Sequence, residues 1–312
     1  MTQYLDAQAD LDEYDVDGQA PHRVIVGVDA SAHAAHAAGW AAEEALRRGV
    51  PLTLVHAIDL PGASSWPVAP PAYAQFRRAD GQKLLDAAAA DVRARFPGLS
   101  VQTELSELSA AHTLSALSEE AALLVTGTRG HGGFTGLLLG SVSRKLAAHG
   151  HCPLVVVRAA AAETEAAPGA EAGDEVLLGV EPDQPESAVR FAFAAAARYG
   201  ATLRAVRVWW PVAIYTGPSG GYYEDVTRTP AEEAADVEQL LAPVRAAFPQ
   251  VKVEISAVRG NAVAELVDAA RAARLVVVGA HRYHGPLAVG AGYVVEGMLA
   301  HSPVPVAVVP AA

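Results

Sequence analysis

Three glycines and two serines carry the clearest chemical signal in this chain. Gly127, Gly130 and Gly140 stand in the spacing Gly-x2-Gly-x9-Gly-Ser, with Ser141 closing the run and Ser143 two residues further on. An apolar stretch, residues 121–126, leads directly into it. A buried strand that empties into a glycine-rich loop and then a helix start is suited to holding phosphate. Glycine lets the backbone turn with positive φ and come close to a ligand. Free N–H groups at the helix N-terminus, with the helix dipole behind them, face the anion. No Gly-Lys-Ser/Thr follows the glycines, so the loop is not a Walker A motif. Nor does it follow the first strand, as a Rossmann fingerprint requires. Arg129 and His131 inside the loop, and Arg144 and Lys145 just past it, either add positive charge to the site or face solvent.

The elements that must position this loop are legible from the apolar pattern. Short β-rich runs at 24–29, 52–57, 100–103, 123–126 and 154–158 alternate with alanine-rich stretches of helical character at 31–48, 76–95, 112–120 and 141–149. Strands without polar alternation, separated by helices, imply an α/β fold with a parallel sheet covered on both faces. Asp29 ends the first run, and Ser31 supplies a helix cap directly after it. Ser141 is placed to cap the helix after the glycine loop.

The second half repeats this plan, with runs at 176–181, 203–209, 251–256, 275–279 and 305–309. Gly127, Gly133, Gly140, His149, Pro153 and Val156 recur as Gly279, Gly285, Gly292, His301, Pro305 and Val308, always 152 residues later. A constant offset over that span marks a duplication. It predicts an acidic, disordered arm at 1–20, a first domain at 21–158, a flexible linker at 159–174 and a second domain at 175–312. Longer loops at 61–71 and 211–229 interrupt both halves after the second strand. Trp66, Tyr73, Tyr215, Tyr222 and Tyr223 crowd there, as solvated insertions or as a lid beside a ligand.

The ungapped glycine spacing, together with its degraded second copy, resembles the ATP-binding signature of the universal stress protein family in its tandem form. The resemblance implies two doubly wound five-stranded parallel-sheet domains of the adenine nucleotide alpha hydrolase type, strand order 3-2-1-4-5. That order makes the first and fourth strands neighbours across the crevice where ligands sit. By the same resemblance, Asp29 serves the nucleoside end, accepting from a ribose hydroxyl or the adenine amine, unless it is a helix cap alone. Gly127 and Gly130 let backbone N–H groups reach ribose and phosphates, with Arg129 and His131 beside them. Gly140, Ser141, Val142 and Ser143 present the helix N-terminus and hydroxyls to the outer phosphates. The backbone of Ala57 grips the adenine edge. ATP with Mg2+ is the implied cofactor. Many family members carry a Gly-Asn or Gly-Asp turn before the third helix; the second half has Gly260-Asn261, whereas the first has Leu108 to Ala111. In the second half Arg282 stands where Gly130 does, Tyr293 replaces Ser141, Val295 replaces Ser143 and Glu181 replaces Asp29. These changes predict a degraded site kept for folding and pairing, or an altered site for an AMP-like or other ligand.

Composition narrows the partners. A net charge of −12 and a pI near 5.3 argue against nucleic acid. No apolar stretch approaches the ~20 residues of a membrane span. A single cysteine, Cys152, fits the cytoplasm and reads as a buried small hydrophobe. The histidine pairs His33/His36 and His281/His284 lack a third ligand and predict no metal site. Residues 127–143 contain no Asp or Glu, so a positioned base for hydrolysis is missing. The expected function is therefore an ATP-binding regulatory protein of the stress response, not an enzyme, with at most a slow incidental ATPase. The competing reading is an interaction module whose glycines serve loop geometry alone. The family resemblance further implies intramolecular pairing of the two domains through their last strands, a homodimer, and a protein partner whose identity is open.

Overall fold

The computed structural model describes residues 23–61, 70–128, 139–158, 173–210, 213–215, 222–224, 228–280 and 291–311. The chain folds as two compact units. The first runs β1 (Val24–Gly27), α1 (Ala32–Arg48), β2 (Leu52–Ala57), α2 (Pro71–Arg95), β3 (Val101–Ser106), α3 (Ala110–Leu117), β4 (Leu123–Gly127), α4 (Ser141–His149) and β5 (Leu154–Val157). Its strands are all parallel, in the order β3-β2-β1-β4-β5. Right-handed crossovers then put α1 and α2 on one face and α3 and α4 on the other, as their packing partners confirm. The central strands are covered on both sides and are accordingly continuous in Val, Ile and Leu, whereas the edge strand β3 exposes Gln102 and Thr103. Six alanines of α1 (Ala34, Ala37, Ala38, Ala41, Ala42 and Ala45) are buried and let the helix lie close to the sheet. Glu44, also buried on α1, is neutralised one turn on by Arg48 at 2.7 Å.

Ser31 caps α1 as expected, its hydroxyl accepting from Ala34 N at 3.1 Å. Two boundaries differ from the sequence reading. Helix α2 begins at Pro71 rather than near 76, because a proline at the first helical position has no N–H to waste. Tyr73 is consequently helical instead of lying in a loop. At α4 the cap is Gly140, not Ser141, which is already the first helical residue. Cys152 is buried just before β5, and burial pushes its thiol up to about 12.

The second unit repeats the plan with β6 (Glu175–Val180), α5 (Glu186–Tyr199), β7 (Thr202–Trp209), α6 (Pro230–Arg245), β10 (Val253–Arg259), α7 (Ala262–Ala269), β11 (Ala273–Ala280), α8 (Tyr293–His301) and β12 (Val306–Pro310). Its order, β10-β7-β6-β11-β12, is again 3-2-1-4-5 and all parallel. The loop expected at 211–229 contains an antiparallel pair, β8 (Ala213–Tyr215) with β9 (Tyr222–Glu224). β-branched and aromatic residues flanking a Gly/Pro-rich turn are a hairpin signal. Among the described residues, no helix is long and apolar enough to cross a membrane.

Candidate functional site

In the first unit, sequence and topology bring Asp29, Gly127 and the start of α4 to one place, the carboxyl ends of the neighbouring strands β1 and β4. Asp29 is half-buried and held by the turn that starts α1: its Oδ1 accepts from Ser31 N at 2.9 Å and from Ser31 Oγ at 2.5 Å. Ser31 in turn caps the helix, so carboxylate and helix start form one fixed unit. Gly127 is required by packing. A Cβ there would lie 2.9 Å from both the carbonyl carbon and oxygen of His33, so strand and helix meet backbone to backbone.

The loop leaving β4 is closed at its mouth. Thr128 N donates to Val157 O at 3.1 Å, and Gly140 N donates back to Thr128 O at 2.8 Å. The residues between, including the predicted Arg129, Gly130 and His131, lie outside the described residues. Beyond the clasp, α4 starts with no side-chain cap and no acidic residue in its first turn. Its first N–H groups have no intrahelical acceptor, and Ser141 stands exposed among them with Val142 half-buried beside it. Ser143 is engaged differently from the expectation that it faces a ligand. It is buried, donates to Gly127 O at 3.0 Å and lies 3.1 Å from Thr126 Oγ1. Its hydroxyl ties α4 to the root of the loop. The hydroxyl of Thr128 is buried there with no hydrogen-bond partner among the described residues.

Ala57 ends β2. Leu52 N and Ile58 N donate to β3, while Val55 O accepts from Val28 N of the β1 side. By this alternation the N–H and C=O of Ala57 face the β1 side, past the last β1 residue paired with β2. His56 Nδ1 donates to Val28 O at 2.8 Å and so caps that strand end. The turn before α3 lacks Gly-Asn but is ordered by serine: Ser106 Oγ accepts from Leu108 N at 3.2 Å and lies 2.7 Å from Thr113 Oγ1. The sequence reading missed the roles of His56 and Ser106, since a lone polar residue at a strand end has no spacing signature.

The second unit keeps the scaffold and changes the chemistry. Gly279 still packs tightly, now against Gln184 and Pro185, and Gly292 holds φ +97°. Asn261 caps α7 through Ala264 N at 3.1 Å and donates to the hydroxyl of the exposed Tyr293 at 3.3 Å. Val295 is buried. Arg282 lies outside the described residues. Arg207 occupies the place of His56 by strand register and reaches the equivalent carbonyl, Val180 O, at 3.4 Å. Its charge is met at 3.1 Å by Glu233, which is buried and also binds Arg228 at 2.8 Å. A small cavity of about 60 Å³ remains at the strand ends, lined by Glu181, Gln184, Arg207, Gly279 and Val295. Among the described residues, no group of three His, Cys, Asp or Glu could hold a metal ion; His281 and His284 lie outside them.

Fold and site together define a class: tandem doubly wound α/β domains with a glycine loop opening at the switch point of the sheet. The sequence profile of the Universal stress protein family matches residues 21–158 and again 174–310, and the chain belongs to that family. A universal stress protein of Mycobacterium tuberculosis is 34% identical over 301 residues, which cover 93% of this chain and 97% of that one. One from Mycolicibacterium smegmatis is 34% identical over 272 residues, covering 85% and 89%. Among solved structures, a universal stress protein from Archaeoglobus fulgidus superposes with a TM-score of 0.66 at 15% identity, covering 93% of this chain and 97% of that chain.

Proposed function

We propose that the first unit binds ATP with Mg2+, and that the protein regulates a stress response through this binding rather than by catalysis. The observation that carries the reading is the start of α4, with no side-chain cap and no acid in its first turn, Ser141 exposed and the loop clasped beside it. Such an end attracts anionic oxygen and suits the outer phosphates. Ser141 adds a hydroxyl and Val142 an amide; by the family resemblance Gly130 lets backbone N–H groups reach the phosphates as well, with Arg129 and His131 beside it. Ser143 holds the loop root in this account. Asp29 would be repelled by phosphate, so it serves the nucleoside end. Ala57 can donate its N–H to adenine N1 and accept from the exocyclic amine. With no Asp or Glu in 127–143, the loop offers no carboxylate to activate water or to hold a metal ion, and hydrolysis is slow and incidental.

The second unit, with Tyr293 and Val295 in place of the two serines, does not hold a triphosphate. Pairing of the two repeats and of whole chains in the cytoplasm belongs to the same proposal. Cleavage within 159–174 followed by sizing chromatography tests the first pairing, and analytical ultracentrifugation the second. Protein purified without added nucleotide is expected to release adenine nucleotide on acid treatment. Protein that carries none, and takes up none at millimolar ATP with magnesium, contradicts the reading. In that event the interaction module stands, favoured by Gly127, whose packing against His33 needs a glycine with or without a ligand.

A further inference from the structure

The turn leaving β2 holds a residue in an unfavourable conformation. Asp59 has φ +44°, and no other non-glycine among the described residues has positive φ. Such backbone persists only where its surroundings fix it, and it gathers at functional sites. Three hydrogen bonds fix it here. Ile58 N donates to Ser106 O at 2.9 Å, Leu60 N to Glu107 O at 2.8 Å, and Arg77 Nη2 to Ile58 O at 2.7 Å. Ile58 and Leu60 are buried against Ala74 of α2 and Leu105 of β3. Arg77 is itself oriented: its Nη1 donates to Tyr73 Oη at 2.9 Å, and its guanidinium lies 5.8 Å from the centre of that ring. Ala57 immediately precedes this turn.

We propose that Arg77, oriented by Tyr73, is a positioning residue for base recognition: by holding the Ile58 carbonyl it keeps the N–H and C=O of Ala57 aimed past the end of β1. The proposal rests on the nucleotide reading above and concerns only its base end. The second unit supports it by contrast. The buried positions Gly81, Leu85, Ala89 and Val92 of α2 recur in α6 as Glu233, Val237, Leu241 and Val244. At that offset Arg77 becomes Thr229, which spends its hydroxyl in a capping box with Glu232 and cannot brace a strand end. The brace therefore belongs to the unit in which the phosphate loop is intact.

Adenine offers an acceptor at N1 and a donor at N6, whereas guanine offers the reverse pair, so a fixed backbone N–H and C=O prefer adenine. Arg77 is only half-buried, and its loss should leave the unit folded. ATP and GTP are titrated against wild type, Arg77→Met and Tyr73→Phe, with a thermal melt of each. Wild type is expected to favour ATP. Arg77→Met should lose about tenfold in ATP affinity with GTP affinity unchanged, and Tyr73→Phe should lose less, in the same direction. If both nucleotides weaken together, or the ratio does not move, Arg77 does not position the base and the proposal is wrong. Wild-type protein that binds neither nucleotide overturns the site reading itself, a different result from a wild type that binds both without preference.

Discussion

Ser141 and Gly127 sit at opposite ends of one loop and separate the two readings of it. Ser141 is exposed at the start of α4. Ser141→Ala should leave stability unchanged and weaken ATP binding by roughly 1.5–3 kcal/mol, about 10–150-fold, as measured by calorimetry. Gly127→Ala should do the reverse in kind. Its Cβ meets the backbone of His33 at 2.9 Å, which cannot swing aside as a side chain would. Overpacking of this sort costs about 1–3 kcal/mol, so the variant should melt earlier even without nucleotide. A third prediction concerns Cys152, whose thiol burial raises from the ordinary 9.0 to about 12. Below the lower value both folded and unfolded chains keep the proton. Between the two only the unfolded chain releases it, so this group's share of stability is intact below 9.0 and is lost as pH climbs toward about 12. Wild type should therefore lose stability over that range faster than Cys152→Ala, and at neutral pH the native thiol should resist alkylation until the protein unfolds.

At the scale of elements, the second unit substitutes a buried charge ladder for the small packing of the first. Arg207 replaces His56 on the second strand, and Glu233 replaces Gly81 on the facing helix, so the two changes compensate. Removing Glu233 strands a largely buried guanidinium. Glu233→Ala should cost about 3–5 kcal/mol in the unit that carries it, seen in its denaturation midpoint, while Gly81 has no counterpart role. The strand order followed from the family resemblance. The strands, the helices and the glycine spacing were legible because each leaves a periodic or spaced pattern, and the repeat doubled every signal. Boundaries governed by local chemistry were not. The start of α2 depended on Pro71 and the hairpin of β8 with β9 on pairing across a Gly/Pro-rich turn. The cap of α4 fell on Gly140 because Ser141 already has helical backbone. Ser143 shows the limit most clearly: its spacing announces a hydroxyl near the loop, but only the fold shows that hydroxyl turned back to Gly127 O. Asp59 and Arg77 left no trace in any spacing, since a backbone angle and a carbonyl bond depend on neighbours distant in the chain.

At the scale of the whole molecule, duplication produced two copies of one fold, and the proposed function gives them a single triphosphate site. Both units keep the 3-2-1-4-5 order and the tight glycine at the end of the fourth strand. They part at the residues that would meet phosphate on the proposed reading, where Ser141 corresponds to Tyr293 in the repeat and Gly130 to Arg282. On the proposed reading, a long side chain at that sequence position replaces the backbone approach that glycine allows, so Arg282 is expected not to restore what Gly130 provides. Calorimetric titration of the intact chain with ATP and magnesium tests this most directly. A site number near one is expected, abolished by the double change Gly130→Ala with Ser141→Ala. A site number near two, or binding that survives the double change, would show that the second unit holds ATP on its own and would contradict it.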